Sequence, residues 1–183
     1  MDLLIHEILG EGLSKKILSE LKEKDAPWQD GKKTAGSLAA TVKNNFQLDR
    51  HSKKAKDLTE LVIEQIESDQ LIKSFALPKK LHSLFFARSS KGQGYGMHVD
   101  NAYMSSGRSD LSFTIFLSDP NDYEGGELCI QSFQNNQQIK LPAGEIIIYP
   151  STSLHSVQKV TKGERLACVG WIQSYITSDE ERK

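Results

Sequence analysis

An imidazole and a carboxylate stand two residues apart in the stretch YGMHVDNAYM, residues 95–104. In an extended chain, side chains alternate between two faces and each residue advances about 3.3 Å. His98 and Asp100 would therefore point the same way, about 6.6 Å apart. One small ion between them can be bound by both side chains. The spacing predicts two metal ligands on one strand.

A third ligand can come from His155, which follows the strand-like stretch EIIIYPSTSLH. Two imidazoles and one carboxylate leave three coordination positions open, and this ligand set is the facial triad of non-haem Fe(II) oxygenases. A histidine and an aspartate at this spacing also occur as ordinary hydrogen-bonded strand residues. The spacing alone leaves both interpretations open.

Arg165 follows His155 by ten residues, across the turn TKGE. This separation suggests that the two strands pair antiparallel and bring the guanidinium close to the predicted metal. Apolar neighbours on the same strand predict that Arg165 is buried, where an unpaired charge is costly. Its partner is then either a dicarboxylate cosubstrate, which suits a bidentate guanidinium, or an aspartate or glutamate of the protein itself.

Two amphipathic helices are expected before this region. Apolar positions recur at helical spacing in residues 12–24, with Ser14 as a candidate cap, and again in residues 52–75, where Leu71 is placed on the apolar face. Residues 28–50 between them are polar and contain glycine, and their pattern fits either a loop or a strand.

From residue 81 onward, short β-rich runs alternate with turn residues. The predicted strands are 81–88, 95–100, 109–118, 126–133, 137–141, 145–149, 154–160 and 165–175. Eight short strands without intervening helices predict an α+β, mainly β fold, a double-stranded β-helix (jelly roll) with the N-terminal helices packed on one sheet. We expect a single domain over 1–183, with a helical support region over 1–80 and the jelly-roll core over 81–176.

Composition narrows the classes of function. The chain has 183 residues with 23 basic and 24 acidic side chains, which does not favour a protein that coats nucleic acid or an anionic membrane. The amino terminus lacks the pattern of a secretory signal, no apolar run is long enough to cross a membrane, and the two cysteines lack metal-binding spacing. These features predict a cytoplasmic protein whose two cysteines are free thiols.

Several longer stretches carry a family resemblance. They read DGKKTAGSLAATVKNNFQL, YGMHVDNA, RSDLSFTIFLSDPNDYEGGEL, IKLPAGEIIIYPSTSLHSV and VTKGERLACVGWIQS. In this order they resemble the Fe(II)- and 2-oxoglutarate-dependent dioxygenases of the prolyl-4-hydroxylase-like superfamily, and within it the PKHD-type hydroxylases. The resemblance covers nearly the whole chain. It implies His98, Asp100 and His155 as iron ligands and Arg165 as the partner of the distal 2-oxoglutarate carboxylate.

The resemblance also implies the reaction. Fe(II), 2-oxoglutarate and O₂ would be used to hydroxylate a C–H bond of a small molecule or a protein side chain, with release of succinate and CO₂ and with L-ascorbate as a candidate reductant. Oxidative demethylation of nucleic acid is one alternative, for which the basic residues around Lys53 and Lys79 can be cited. A jelly roll that binds metal without turnover is the other. The primary substrate and the oligomeric state stay open.

Residues near the predicted ligands have two interpretations each. Tyr95 either hydrogen-bonds the cosubstrate or packs as a strand aromatic, and Trp171 either walls the pocket or joins the core. Asn101 and Arg108 are candidates for substrate contact. Residues Thr114 and Phe116 share one strand face, with Phe116 assigned to the core, whereas Gly125, Gly126 and Glu127 are expected to form a turn.

Two departures from the family pattern qualify these implications. The chain has Ser89 after Arg88, where the family usually has a tyrosine that reaches the pocket. It also reads TSDEERK where family members usually continue with a helical segment, so the resemblance does not carry over an oligomer contact or a substrate lid built from that segment.

Overall fold

The computed structural model of the chain describes residues 3–34, 41–131, 136–178 and 180–182. The described α-helices are α1 (Glu11–Leu21), α2 (Lys53–Ser68) and α3 (Gln70–Ala76), and Gly31–Thr34 form a 3₁₀ helix. The described strands are β1 (Leu4–Glu7), β2 (Trp28–Asp30), β3 (Lys43–Asn44), β4 (Phe46–Leu48), β5 (Pro78–Ser90), β6 (Gly94–His98), β7 (Tyr103–Met104), β8 (Gly107–Arg108), β9 (Leu111–Phe116), β10 (Tyr123–Glu124), β11 (Leu128–Ile130), β12 (Gln137–Ile139), β13 (Glu145–Pro150), β14 (His155–Val157) and β15 (Lys162–Ser174).

Two antiparallel sheets form the body of the protein. The larger sheet has the strand order β1-β13-β9-β15-β5-β4-β2, with β10 also paired to β15. The smaller sheet has the order β12-β11-β14-β6-β3, and β7 and β8 form a separate hairpin. This is the predicted jelly roll, mainly β with helices added, and the prediction of fold class is confirmed.

Alternation along the central strands gives the larger sheet two different faces. On β9, residues Leu111, Phe113 and Ile115 belong to the main hydrophobic core, while Ser112 and Thr114 are buried on the opposite face. The helices supply the other half of that core through Ile17, Leu21, Leu58, Val62, Ile66, Ile72 and Ala76. The prediction that the N-terminal helices pack on one sheet is therefore confirmed, and the other face is left for the site.

Each strand predicted from residue 81 onward has a counterpart in the structure, although residues 132–133 of the predicted strand 126–133 lie outside the described residues. The first 80 residues are less purely helical than predicted, because β1 pairs with β13 at one edge of the larger sheet and β4 pairs with β5 towards the other. Strand β3 joins the smaller sheet instead, beside β6. The segment between α1 and α2 thus bridges the two sheets.

The predicted helix over 52–75 is wrong in one respect, because it breaks at Asp69. That residue has an extended backbone (φ −74°, ψ 124°), and its carboxylate accepts a hydrogen bond of 2.8 Å from the amide of Ile72, which caps α3. The break turns Leu71 outward, 46% exposed, and buries Ile72 instead. Ser14 is not a cap, because α1 begins at Glu11 and Ser14 is buried inside it. None of the helices in the described ranges is both long and apolar enough to span a membrane.

The packing of β15 against the core can be tested at Gly170. A Cβ atom added there would lie 2.5 Å from Cζ of Phe113 and 2.7 Å from Cγ of Leu84. We expect Gly170→Ala to lower the free energy of unfolding by about 1–3 kcal/mol because the core must shift to admit the methyl group. Urea denaturation measures the effect.

The matched control is Gly12→Ala on α1, where an added Cβ meets nothing within 4 Å. Alanine favours a helix over glycine by up to about 1 kcal/mol, so this variant should be as stable as the wild type or more so. Equal stability of the Gly170→Ala protein and the wild type would contradict the packing described for β15.

Candidate active site

Strands β6 and β14 bring two histidines together at the centre of the smaller sheet. His155 lies directly opposite His98 in the antiparallel register, and the ring centroids are 4.2 Å apart. Nδ1 of His98 lies 2.7 Å from the carbonyl oxygen of Gly96, and Nδ1 of His155 lies 2.9 Å from that of Ser153. A carbonyl only accepts hydrogen bonds, so each Nδ1 carries the proton and each Nε2 keeps a lone pair for a metal.

The surroundings of His98 favour the neutral imidazole. Burial, together with the nearby His155, lowers the pKa of His98 to about 4. A neutral imidazole is the form that binds a metal ion. The ring is therefore already in its ligating state at neutral pH.

Asp100 lies just beyond the end of β6, which stops at His98, two residues before the predicted end. Its Oδ1 is 3.6 Å from Nε2 of His98, and its Oδ2 is 3.7 Å from Nε2 of His155. The larger sheet holds this carboxylate in place. Ser112 donates a hydrogen bond of 2.6 Å to Oδ2, and Nε1 of Trp171 donates one of 3.0 Å to the same atom.

The three predicted metal ligands therefore converge. The candidate ligand atoms of His98, Asp100 and His155 all lie within 4.8 Å of one another. Two imidazoles and a carboxylate fixed by other hydrogen bonds form a set suited to a divalent metal such as Fe(II).

A cavity of about 330 Å³ opens beside these three residues, between the two sheets. Its polar wall residues are Lys43, Asn45, Gln47, Arg50, Ser83, Ser89, Tyr95, Asn101, Ser105, Thr114, Tyr149 and Arg165. Its apolar wall includes Phe85, Ala87, Val99, Leu128, Val157, Val169 and Trp171. A volume of this order suits a small ligand.

Arg165 enters this cavity from β15 of the larger sheet. The predicted pairing of its strand with that of His155 is wrong, because β14 belongs to the smaller sheet, where it pairs with β6 and β11. Arg165 nevertheless reaches the same cavity because the two sheets face each other. It lies across the cavity from β14 rather than beside it.

The guanidinium of Arg165 is buried without a full set of partners. The side chain is 3% exposed, its Cζ lies 5.3 Å from the centre of the Phe116 ring, and Nε and Nη2 have no hydrogen-bond partner. Within the described part of the chain, no carboxylate forms an ion pair with it. Burial lowers the pKa of Arg165, and the nearby Tyr123 and Tyr149 act against this shift. The prediction of an aspartate or glutamate partner finds no support, and the free donors fit a ligand carboxylate.

Two tyrosines flank the histidine pair. The ring of Tyr95 stacks on His98 with centroids 3.7 Å apart, and burial raises the pKa of Tyr95 to about 12. Tyr149 meets His155 edge-on at 5.2 Å, and burial raises the pKa of Tyr149 well above its usual value. Both hydroxyls stay protonated at neutral pH. Sequence reasoning singled out Tyr95 but missed Tyr149, which lies in an apolar strand.

The other candidate residues divide between the cavity and the scaffold. Asn101 and Thr114 line the cavity, whereas Phe116 is buried under the guanidinium. Trp171 walls the cavity and also binds Asp100. Arg108 is not available for substrate in this structure, because it pairs with Asp110 at 2.7 Å and donates to the carbonyl of Ser174.

The remaining predictions concern turns and a departure from the family pattern. Gly125 and Gly126 have positive φ angles of 73° and 71° and lie between β10 and β11, as expected of a turn. Ser89 lines the cavity where the family usually has a tyrosine, and it is 3% exposed.

Sequence reasoning missed Ser112 and Lys43. The signal for Ser112 was present, because it shares a strand face with Thr114 in the otherwise apolar run LSFTIF. Lys43 lies in the stretch left open between loop and strand, so its face was not predictable.

The fold and the His-Asp-His cluster are those expected of a 2OG-Fe(II) oxygenase. The family model described as the 2OG-Fe(II) oxygenase superfamily matches residues 84–173. In the fold, the chain resembles a Pseudomonas putida prolyl-4-hydroxylase with a TM-score of 0.68 at 19% identity, covering 95% of this chain and 93% of that one. It also resembles a prolyl hydroxylase from Trichoplax adhaerens, solved with a peptide fragment of hypoxia inducible factor, with a TM-score of 0.67 at 15% identity, covering 98% of this chain and 84% of that one.

Sequence similarity identifies the family within that superfamily. A PKHD-type hydroxylase of Prochlorococcus marinus strain MIT 9313 is 63% identical over 182 residues, which cover 100% of this chain and 82% of the relative. The chain belongs to the PKHD-type hydroxylase family. This membership implies Fe(II), 2-oxoglutarate and O₂, and the donor set and the unpartnered guanidinium fit the metal and the cosubstrate.

The support of Asp100 by Trp171 can be tested by metal binding. Trp171→Phe removes the indole donor, so we expect the affinity for Ni(II) to fall about 10–100-fold, as is typical when a group that orients a metal ligand is lost. Isothermal titration calorimetry measures the dissociation constant.

Trp28→Phe is the matched control, because it removes an indole donor that binds the carbonyl of Leu21 at 3.2 Å, away from the cavity. Its Ni(II) affinity should equal that of the wild type. Equal effects of the two substitutions would show that the bond from Trp171 to Asp100 does not support a metal ligand.

Proposed function

We propose that the protein is an Fe(II)- and 2-oxoglutarate-dependent dioxygenase that hydroxylates a C–H bond of a small molecule or a protein side chain. In the balanced reaction, R–H, 2-oxoglutarate and O₂ give R–OH, succinate and CO₂. The observation that carries the proposal is the convergence of three candidate ligands within 4.8 Å beside a buried guanidinium that has unpartnered donors.

His98, Asp100 and His155 are assigned to the metal. Bound Fe(II) supplies the activation of O₂, driven by oxidative decarboxylation of 2-oxoglutarate. The protein's part is to hold the ligands ready: two backbone carbonyls fix the protonated Nδ1 atoms of the histidines, and Ser112 and Trp171 fix the carboxylate. Little rearrangement is then needed when the metal binds.

Arg165 is assigned to the distal carboxylate of 2-oxoglutarate. A guanidinium offers two parallel N–H donors to a carboxylate, and a charged hydrogen bond shielded from water is stronger than an exposed one. Because Nε and Nη2 lack partners, a bound carboxylate would satisfy donors that are otherwise buried at a cost. This complementarity favours a dicarboxylate over a neutral ligand.

Tyr95 is assigned a hydrogen bond to the cosubstrate in addition to its stacking on His98. With a pKa of about 12, its hydroxyl keeps its proton and can donate to a carboxylate oxygen. L-Ascorbate enters the proposal only as an external reductant that keeps iron in the Fe(II) state, and no residue is assigned to it.

No observation favours the demethylation of nucleic acid. Of the basic residues cited for it, Lys53 on α2 pairs with Asp57 at 2.6 Å and Lys54 pairs with Glu23, whereas Lys79 lies on β5 beside Lys80, which donates to the carbonyl of Ser106. These pairs are those of a solvated helix face.

The metal assignment predicts that His98→Ala and Asp100→Ala abolish succinate formation from 2-oxoglutarate. Each substitution removes one of only three protein ligands. The wild type mixed anaerobically with Fe(II) and 2-oxoglutarate should show a weak visible charge-transfer band, and admission of O₂ should give succinate, which chromatography measures.

His51→Ala is the control, because it removes an exposed histidine ahead of α2 and should leave succinate formation unchanged. Succinate formation by the His98→Ala and Asp100→Ala proteins at the wild-type rate would overturn the metal assignment. The reaction class would be overturned if the wild type, supplied with Fe(II) and 2-oxoglutarate, formed no succinate either alone or with a broad panel of substrates.

The cosubstrate assignment predicts that Arg165→Gln weakens 2-oxoglutarate binding at least about 30-fold while Ni(II) binding is retained, because removing one partner of a buried charge pair costs several kcal/mol. Arg88→Gln is the control. Arg88 lies on the neighbouring strand β5 and stacks at 4.7 Å on the Trp28 ring, outside the cavity wall. Unchanged 2-oxoglutarate affinity in the Arg165→Gln protein would remove this role.

A further inference from the structure

The cavity contains a second buried cation that the proposed reaction does not use. Lys43 is 5% exposed, and its ammonium lies 5.1 Å from the centre of the Phe85 ring and 5.4 Å from that of Tyr95. Among the described residues, none gives this ammonium a hydrogen bond or an ion pair. A cation held only against aromatic faces keeps its hydrogen-bond donors for a ligand.

Lys43 belongs to a polar wall along one side of the cavity. Lys43, Asn45 and Gln47 alternate along the chain and all line the cavity, and Asn45 has a buried Oδ1 without a hydrogen-bond partner. The wall runs from β3 in the smaller sheet to β4 in the larger sheet. It therefore spans the gap between the sheets, and Arg50 lies at its exposed end.

The charges of the cavity do not balance once the metal and the cosubstrate are counted. The cations among its lining residues are Lys43, Arg50 and Arg165, and Asp100 is the single carboxylate. A bound Fe(II) ion and the 2-oxoglutarate dianion cancel each other, and Arg165 offsets Asp100. The positive charges of Lys43 and Arg50 remain, with no further carboxylate among the described lining residues to offset them.

We propose that the primary substrate carries an anionic group, a carboxylate or a phosphate, which binds the ammonium of Lys43 with Arg50 at the opening of the cavity. The inference rests on the proposed function and names the class of substrate for the same site. The ammonium of Lys43 lies 5.4 Å from the centre of the Tyr95 ring, and the same ring stacks on His98 with centroids 3.7 Å apart. A group bound to Lys43 would thus lie in the same cavity as the candidate metal ligands and close to them.

The electrostatics of Lys43 agree with this role. Burial, followed by repulsion from Arg50, lowers the pKa of Lys43 to about 8. Asp100 and Asp30 attract the ammonium but do not offset these effects, and an anion beside it would add the counter-charge that opposes them.

A rival explanation is that Lys43 binds 2-oxoglutarate itself. The two roles are separated by measuring cosubstrate and substrate binding independently. Lys43→Met keeps the length of the side chain between the two rings and removes the charge. We expect the Ni(II)-loaded Lys43→Met protein to bind 2-oxoglutarate within threefold of the wild type, which also shows that the variant is folded.

The test uses protein loaded with Ni(II) and 2-oxoglutarate, so that binding is measured without turnover. Each anionic probe is compared with a neutral compound of similar shape. N-acetyl amino acids are compared with their amides, and phenyl phosphate is compared with phenol. Calorimetry gives the dissociation constants. We expect at least one anionic probe to bind the wild type about tenfold more tightly than its neutral partner. Comparing the N-acetyl amino acids with phenyl phosphate shows whether a carboxylate or a phosphate is preferred.

Lys43→Met should reduce that preference to less than threefold, and Lys43→Arg, which keeps the charge, should retain part of it. Lys91→Met removes an exposed lysine between β5 and β6 and should bind the probes as the wild type does. The inference is overturned if the preference survives in Lys43→Met, if no anionic probe is preferred, or if Lys43→Met loses 2-oxoglutarate as Arg165→Gln does. A wild type that binds neither Ni(II) nor 2-oxoglutarate would overturn the proposed function, and this inference with it.

Discussion

The candidate metal site depends on one antiparallel contact, the pairing of β6 with β14 that sets His155 opposite His98. Both rings are oriented in the same way, because each Nδ1 donates to the backbone carbonyl two residues earlier on its own chain segment. Register and local hydrogen bonding together direct the two Nε2 atoms to one point. A one-residue slip of β14 would turn His155 to the other face of the sheet and remove the pair.

The third candidate ligand needs the other sheet. Asp100 lies beyond the end of β6, where strand pairing no longer fixes it, and its hydrogen bonds come from Ser112 on β9 and Trp171 on β15. Those two strands are neighbours in the larger sheet, and their opposite faces pack on the helices through residues such as Phe113 and Ile172. The apolar core under the helices thus holds the donors that position Asp100. The site exists because one sheet supplies the ligands and the other sheet orients one of them.

Strand alternation and turn residues predicted the eight main strands and the jelly roll. Spacing made His98, Asp100 and His155 candidates for the site, and the family resemblance, not the spacing, assigned them to a metal. Local patterns failed where an outcome depends on pairing between distant segments. The strands of His155 and Arg165 follow each other in the chain and were predicted to pair, but each finds its partners elsewhere. Strand β3 is only two residues long, so no periodicity identifies it, and Lys43 was missed for that reason. The helix over 52–75 broke because Asp69 caps a new helix, a side-chain effect that an apolar stripe does not report.

The two buried cations of the cavity conflict with the rule that buried charges are paired. Arg165 and Lys43 approach from different parts of the scaffold, one from the central strand β15 and one from the segment that bridges the sheets. Strand β15 is paired on both sides, with β5 and β9, so the surrounding sheet can hold a guanidinium that would otherwise favour water. Most residues suit the environment in which the fold places them. Functional residues are the exceptions, and the stability of the rest of the structure compensates for the free energy that they cost. Two unsatisfied cations in one cavity are such an exception, and the proposed anionic ligands would supply the missing counter-charges.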